Sequence, residues 1–261
     1  MRILLFLVMV VLGLVGSFFS GLLGIGGAII NYPLLLYVPS VMGVAHFSAH
    51  EVSSISMFQV FFASLAGIIG YRTSGKSSAS IHTELVMYMG SGILVGSLLG
   101  GWVSGYIQGD MINFIYGILA VLAVILMLIP NRGTEEQNSK LNFNKSLAVG
   151  LAVLIGMVSG IVGAGGGFIL IPIMIKILKI PTRTTIASSL AIVFVSAIGG
   201  LIGKISGGGI PLWPTLFTVM GSVIGAPVGS ILSAKINVNV LRYGLIVLIT
   251  CTAIKVWSSI L

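Results

Sequence analysis

The residues best placed to do chemistry are two glycine clusters, Ser20-Gly21-Leu22-Leu23-Gly24-Ile25-Gly26-Gly27-Ala28 and, 139 residues later, Ser159-Gly160-Ile161-Val162-Gly163-Ala164-Gly165-Gly166-Gly167. Each is followed at the same offset by a proline, Pro33 and Pro172. Glycine inside a helix costs about 1 kcal/mol relative to alanine, so a cluster placed twice in apolar surroundings reads as backbone that unwinds or packs closely. An unwound helix end presents unpaired N–H groups and the positive end of its dipole. Both bind an anion without putting a full charge into hydrocarbon. The predicted binding residues are Gly24, Gly26, Gly27 and Ala28 with Gly163, Gly165, Gly166 and Gly167. Close helix packing is the rival reading for any single glycine among them.

Hydroxyls and amides extend the list. Ser53-Ser54-Ile55 follows the first cluster and Ser188-Ser189-Leu190 the second, so these serines either line the same site or back-bond within their helices. Asn31, whose counterpart is Leu170, and Gln59 are secondary candidates, each also suited to a helix-to-helix hydrogen bond. His46, His50 and Glu51 form the titratable cluster beside Ser53. Proton coupling through His50 or Glu51 stands against a solvated helix entrance, and no third strong ligand supports a metal. A buried Arg or Lys would cost about 2.5–3.5 kcal/mol at the bilayer centre, and the sequence is expected to place none there.

The elements that hold these residues are dictated by composition. Hydrophobic residues make up 57% of the chain and charged residues 7%, with a mean hydropathy of +1.17, so the chain is read as an all-α polytopic membrane protein. The formal charge of +8 sits mostly at the ends of apolar runs, which points to membrane orientation and not to nucleic acid. The lone Cys251 excludes an intramolecular disulfide framework. Met1-Arg2 and the run behind it resemble a signal peptide, but the segment has a repeat counterpart and is expected to stay in the mature fold.

Spans of about 20 residues are predicted at 52–70, 85–104, 111–130, 185–203, 213–233 and 240–259. The runs 3–50 and 146–175 contain no Asp, Glu, Lys or Arg and are read as broken hairpins, each a helix interrupted at its glycines and continued by a short second helix. If both hairpins return, Arg72, Lys76, Arg132, Lys140, Lys145, Lys176, Lys179, Arg183, Lys235 and Arg242 share one face, ten against three. Single crossings would give eight against five. The positive-inside tendency favours the hairpins, with both chain ends outside.

Returning hairpins invert the second half against the first. The expected organisation is a repeat at 1–131, a charged linker at 132–145 and a repeat at 146–261. Met89-Gly90-Ser91 matches Met220-Gly221-Ser222, Gly96 and Gly100 match Gly225 and Gly229, and Tyr116-Gly117 matches Tyr243-Gly244. The paired small residues of Gly96/Gly100 and Gly225/Gly229 are assigned to helix packing. Inverted repeats around a midplane site are a transporter architecture.

With its doubled glycine segment ending in proline, its Ser-Ser-hydrophobic helix starts and its Gly-xxx-Gly helices, the chain resembles the sulfite exporter TauE/SafE family over essentially its whole length. The first segment departs from the second in reading Gly26-Gly27-Ala28 in place of three glycines. The resemblance implies a bacterial inner-membrane carrier for sulfite, organosulfonates or related anions. Enzymatic readings find little support: Asp110 is the only aspartate, and Ala28-Ile29-Ile30 and Phe168-Ile169-Leu170 follow the glycines where a phosphate loop needs Lys and Ser/Thr. The expected partners are a small anion and the lipid bilayer, with no cofactor, metal or nucleic acid. Proton coupling and assembly into a homo-oligomer stay open, as do an anion channel and a non-transporting scaffold.

Overall fold

The computed structural model describes residues 2–24, 28–73, 81–128 and 143–233, then 235, 236, 240, 243, 244, 246, 247, 250, 251, 254, 257 and 258. Gly26 and Gly27 lie outside the described residues, as does most of the charged linker. The regular structure of the described residues is helical: α1 (Arg2–Leu23), α2 (Ala28–Val41), α3 (Ala49–Thr73), α4 (Thr83–Val103), α5 (Gly109–Leu128), α6 (Lys145–Val162), α7 (Gly167–Lys176), α8 (Thr182–Gly207) and α9 (Leu212–Ser233), with a 3-10 turn at Ser104–Tyr106. Every described residue between Val240 and Ser258 is helical as well.

Both uninterrupted apolar runs are broken at their glycines. α6 ends on Gly163 at φ 77, ψ 25, and α7 starts from Gly166 at φ 77, ψ −6. Gly24 closes α1 at φ 72. These are left-handed conformations in which glycine carries no Cβ penalty. The first arms are the longer of each pair. α1 and α6, at 22 and 18 residues, are long and apolar enough to cross a bilayer unaided, which makes seven such helices among the described residues. α2 and α7, at 14 and 10 residues, rise only about 21 and 15 Å and are too short to cross.

Helix directions follow from what each element touches. Gly221, Gly225 and Gly229 of α9 press on the carbonyls of Val10, Leu14 and Phe18, so α1 and α9 run parallel. Gly92, Gly96 and Gly100 of α4 press likewise on Val149, Val153 and Met157 of α6. The three carbonyl residues differ by 139 between the two sets and the glycines by 129, so the two interfaces are related by the same offsets as the sequence repeat. Gly199 and Gly203 of α8 meet Leu94 and Leu98 of α4, a third parallel pair. α3 and α8 are antiparallel, with Gly67 against Leu190 and Gly200 against Met57.

At the three parallel interfaces glycine is required because a Cβ would fall inside the radius of a backbone oxygen. Gly229→Val is expected to pry α1 from α9 and to lose most folded, monodisperse protein. Gly150→Ala, on α6 with nothing within 4 Å of its missing Cβ, is expected to be neutral or to stabilise by up to about 1 kcal/mol. Size-exclusion profiles and thermal unfolding of the two variants check this.

One end of the bundle carries exposed aromatics. Trp102 and Tyr106 at the end of α4, and Trp213 at the start of α9, stand in solvent-facing positions, as aromatic residues do at a membrane interface.

Candidate functional site

α3 and α8 form the antiparallel centre against which both breaks pack. The Ser189 hydroxyl on α8 donates to the Gly24 carbonyl at 2.6 Å, and the Ser53 hydroxyl on α3 donates to the Ile161 carbonyl at 3.0 Å. Each break is therefore held by a serine of the other half. Ser54 is buried beside Ser53, and the Ser188 hydroxyl accepts the His82 N–H at 3.0 Å. Three of the four predicted serines thus have structural bonds at the breaks or at a helix start. Gly165 lies against Val60 and Val193, and Gly166 against Ile155 and Ser159. Gly166 brings no side chain to cap α7, whose first residues are Gly167 and Phe168. Ala28 opens α2.

The two amides are the most exposed to chemistry. Asn31 on α2 is 1% accessible, and neither its Nδ2 nor its Oδ1 has a hydrogen-bond partner in the chain. Gln59 on α3 is fully buried. Its Nε2 donates to the Gly13 carbonyl and to Ser17 Oγ, both at 3.2 Å, while its Oε1 is unpaired. Both amides converge on Gly16 of α1: a Cβ there would collide with Asn31 Oδ1 and stand 3.3 Å from Gln59 Nε2. The hydroxyls of Ser20, Ser56 and Ser196 are buried and unpaired too. Ser53, Ser56 and Gln59, spaced by three, follow one side of α3. An unsatisfied buried polar group costs about 1–3 kcal/mol, so such a concentration is expected where a ligand or water supplies the missing bonds.

α2 and α7 touch one another, and α5 ties them together. Tyr116 stacks on Tyr32 of α2 at 4.8 Å and meets Phe168 of α7 at 6.1 Å. The Tyr32 hydroxyl donates to Asn113 Oδ1 at 2.8 Å.

A lysine is buried within the bundle: Lys204 in the last turn of α8 is 4% accessible, and its Nζ donates to Ser104 Oγ at 2.7 Å and to the Ile161 carbonyl at 3.0 Å. The sequence places it at the end of an apolar run, where a lysine reads as an interfacial anchor. Gly101, Gly200 and Gly203 let α4 and α8 close around it. That small-residue face, at spacings of three and four, was the available signal for burial.

His50 and Glu51 sit at the entrance of α3. Glu51 Oε2 accepts the Ser48 N–H at 2.8 Å and its hydroxyl at 3.0 Å, while the Ser48 Oγ accepts the Glu51 N–H at 3.3 Å. This is a capping box. His46 Nδ1 and Ser40 Oγ are 2.9 Å apart. Among the described residues no group of three His, Cys, Asp or Glu comes together to hold a metal ion.

Known proteins similar to this chain are membrane transporters by name. The family model described as sulfite exporter TauE/SafE matches residues 9–256. The probable membrane transporter protein YunE of Bacillus subtilis is 23% identical over 249 residues, covering 89% of this chain and 90% of that protein. A probable membrane transporter protein of Xylella fastidiosa strain Temecula1 is 30% identical over 236 residues, covering 87% and 84%. A third, MJ0441 of Methanocaldococcus jannaschii, is 25% identical over 205 residues, covering 78% and 74%. No solved structure matches at a comparable significance. With a family model that spans nearly the whole chain and relatives of matching length, the chain belongs to the sulfite exporter TauE/SafE family of membrane transporters.

Proposed function

We propose that this transporter carries a small anion, sulfite or an organosulfonate, by alternating access between two inverted repeats, 1–131 and 146–261. The observation that carries the reading is the set of unpaired buried groups on Asn31, Gln59, Ser20, Ser56 and Ser196, of which the two amides meet where α2 starts and α3 passes α1. Asn31 Nδ2 and the serine hydroxyls lack acceptors, which the oxygens of the cargo supply, while Asn31 Oδ1 and Gln59 Oε1 lack donors, which water travelling with the cargo supplies. The start of α7, which no side chain caps, adds N–H donors and a positive dipole end.

Support for the inversion comes from the exchange-related packing of α1 with α9 and α6 with α4, and from the antiparallel run of the counterparts α3 and α8. Support for an anion comes from donors without a carboxylate among the site residues. The family description names sulfite, which fits that donor set.

Reconstitution into liposomes tests the reading. Saturable sulfite or methanesulfonate uptake, accelerated by the same anion trapped inside, is the expected result. Conductive flux without counterflow would replace the carrier by a channel, and no flux of any sulfur oxyanion would remove the reading. Glu51→Gln and His50→Ala in the same assay test proton coupling. Because Glu51 serves as a cap, loss of helix-end stability with an unchanged pH profile is expected.

A further inference from the structure

The buried Lys204 is not used by the amide site, and its surroundings do not explain it. Two of the three N–H bonds of its ammonium go to Ser104 Oγ and to the Ile161 carbonyl. Neither acceptor is charged, and among the described residues no carboxylate lies within ion-pairing distance of it. Capping α6 does not account for it. The Ile161 carbonyl already accepts from Ser53 Oγ at 3.0 Å, and the next two N–H groups past the helix end, on Gly163 and Ala164, bond back to the Ser159 carbonyl. A charge held in this way keeps a donor for something that enters.

The position suits an anion in transit. Ser53 and Lys204 meet at the same carbonyl, one turn from the second glycine break. From Ser53 the polar side of α3 continues through Ser56 to Gln59, the unpaired groups of the amide site. On α8, Ser189 and Ser196 precede Lys204 by 15 and 8 residues, near whole numbers of turns, so the three share one side of the helix. Ser189 holds the first break and Lys204 stands at the second. The polar track along the α3–α8 pair therefore ends on a basic side chain.

We propose that Lys204 is the counter-charge for the transported anion, a second binding position at the Ile161–Gly163 end of the track, where an oxyanion replaces Ser104 or accepts a hydrogen bond from the third ammonium N–H. This rests on the anion reading above and adds to it a residue and a place.

The test is equilibrium binding by thermal shift and calorimetry on the purified full chain, with sulfite and methanesulfonate as probes and dimethyl sulfone as the uncharged counterpart. Wild type is expected to bind the anions and not the sulfone. Losing one charge-assisted hydrogen bond should weaken anion binding by about 10- to 100-fold in Lys204→Gln and in Lys204→Met, the latter matching the aliphatic stem so that one folded uncharged variant is in hand. Lys204→Arg should recover part of the affinity. Lys145→Gln, which removes an exposed lysine paired with Glu84 at 2.6 Å, should leave it unchanged. A folded Gln or Met variant with wild-type anion affinity overturns the assignment of Lys204 while leaving the anion reading in place. Wild type that binds no anion overturns both.

Discussion

Asn31→Leu is expected to yield a protein that is more stable than wild type and nearly inactive. Both polar atoms of the Asn31 amide are buried and unpaired, and replacing such a group by an apolar one of similar size gains about 1–3 kcal/mol. The folded protein would unfold at a higher temperature. Anion flux would fall on the order of a hundredfold, since the amide would give up bonds to a charged cargo, each contributing about 1.5–3 kcal/mol. A residue that merely packs cannot produce this pair of opposite changes. Gln59→Leu makes the contrast, because its Nε2 bonds to Gly13 and Ser17 would be lost along with its free oxygen, so activity and stability should fall together. Wild-type flux in a folded Asn31→Leu protein would contradict the assignment of that amide.

Gly163→Ala is expected to be the most damaging single methyl added at the breaks. Gly163 holds φ 77, which costs an alanine about 1–2 kcal/mol, and its new Cβ would run into the Ser53 carbonyl and stand 2.7 Å from Ser53 Oγ. Relief requires moving α3, so a loss of about 3 kcal/mol or more is expected. Gly43→Ala is the control. It has φ 64 with nothing within 4 Å of the added atom, so it should cost only the backbone term. Chemical or thermal unfolding in detergent separates the two. Equal effects would mean that the break tolerates another geometry.

The helices were legible because each apolar run has the length and flanking residues of a bilayer crossing, and α3, α4, α5, α8 and α9 cover the predicted spans with ends shifted by a few residues. The breaks were legible because glycine and proline are conspicuous in such runs. Relative depth was not. The length of the first arms depended on where in the cluster the helix stops, and Gly24 and Gly163 are the first described residues of each cluster with a left-handed backbone. Asn31 and Gln59 stood out as polar residues in apolar segments, yet their lack of partners follows from side chains brought together by α1, α2 and α3. Ser53 and Ser189 were singled out as ligands, and the structure gives their hydroxyls to the breaks. The burial of Lys204 was not legible, because one lysine at the end of a run looks the same whether it faces water or a seam of glycines.

The most direct measurement is the position of a heavy-atom anion in the protein, with 2-bromoethanesulfonate as the probe and its bromine located by anomalous scattering. A sulfonate within hydrogen-bonding reach of Asn31 Nδ2, with the bromine beside it, is the predicted result. An anion bound in the bundle but away from both amides, with the unpaired groups satisfied by water alone, would contradict the account.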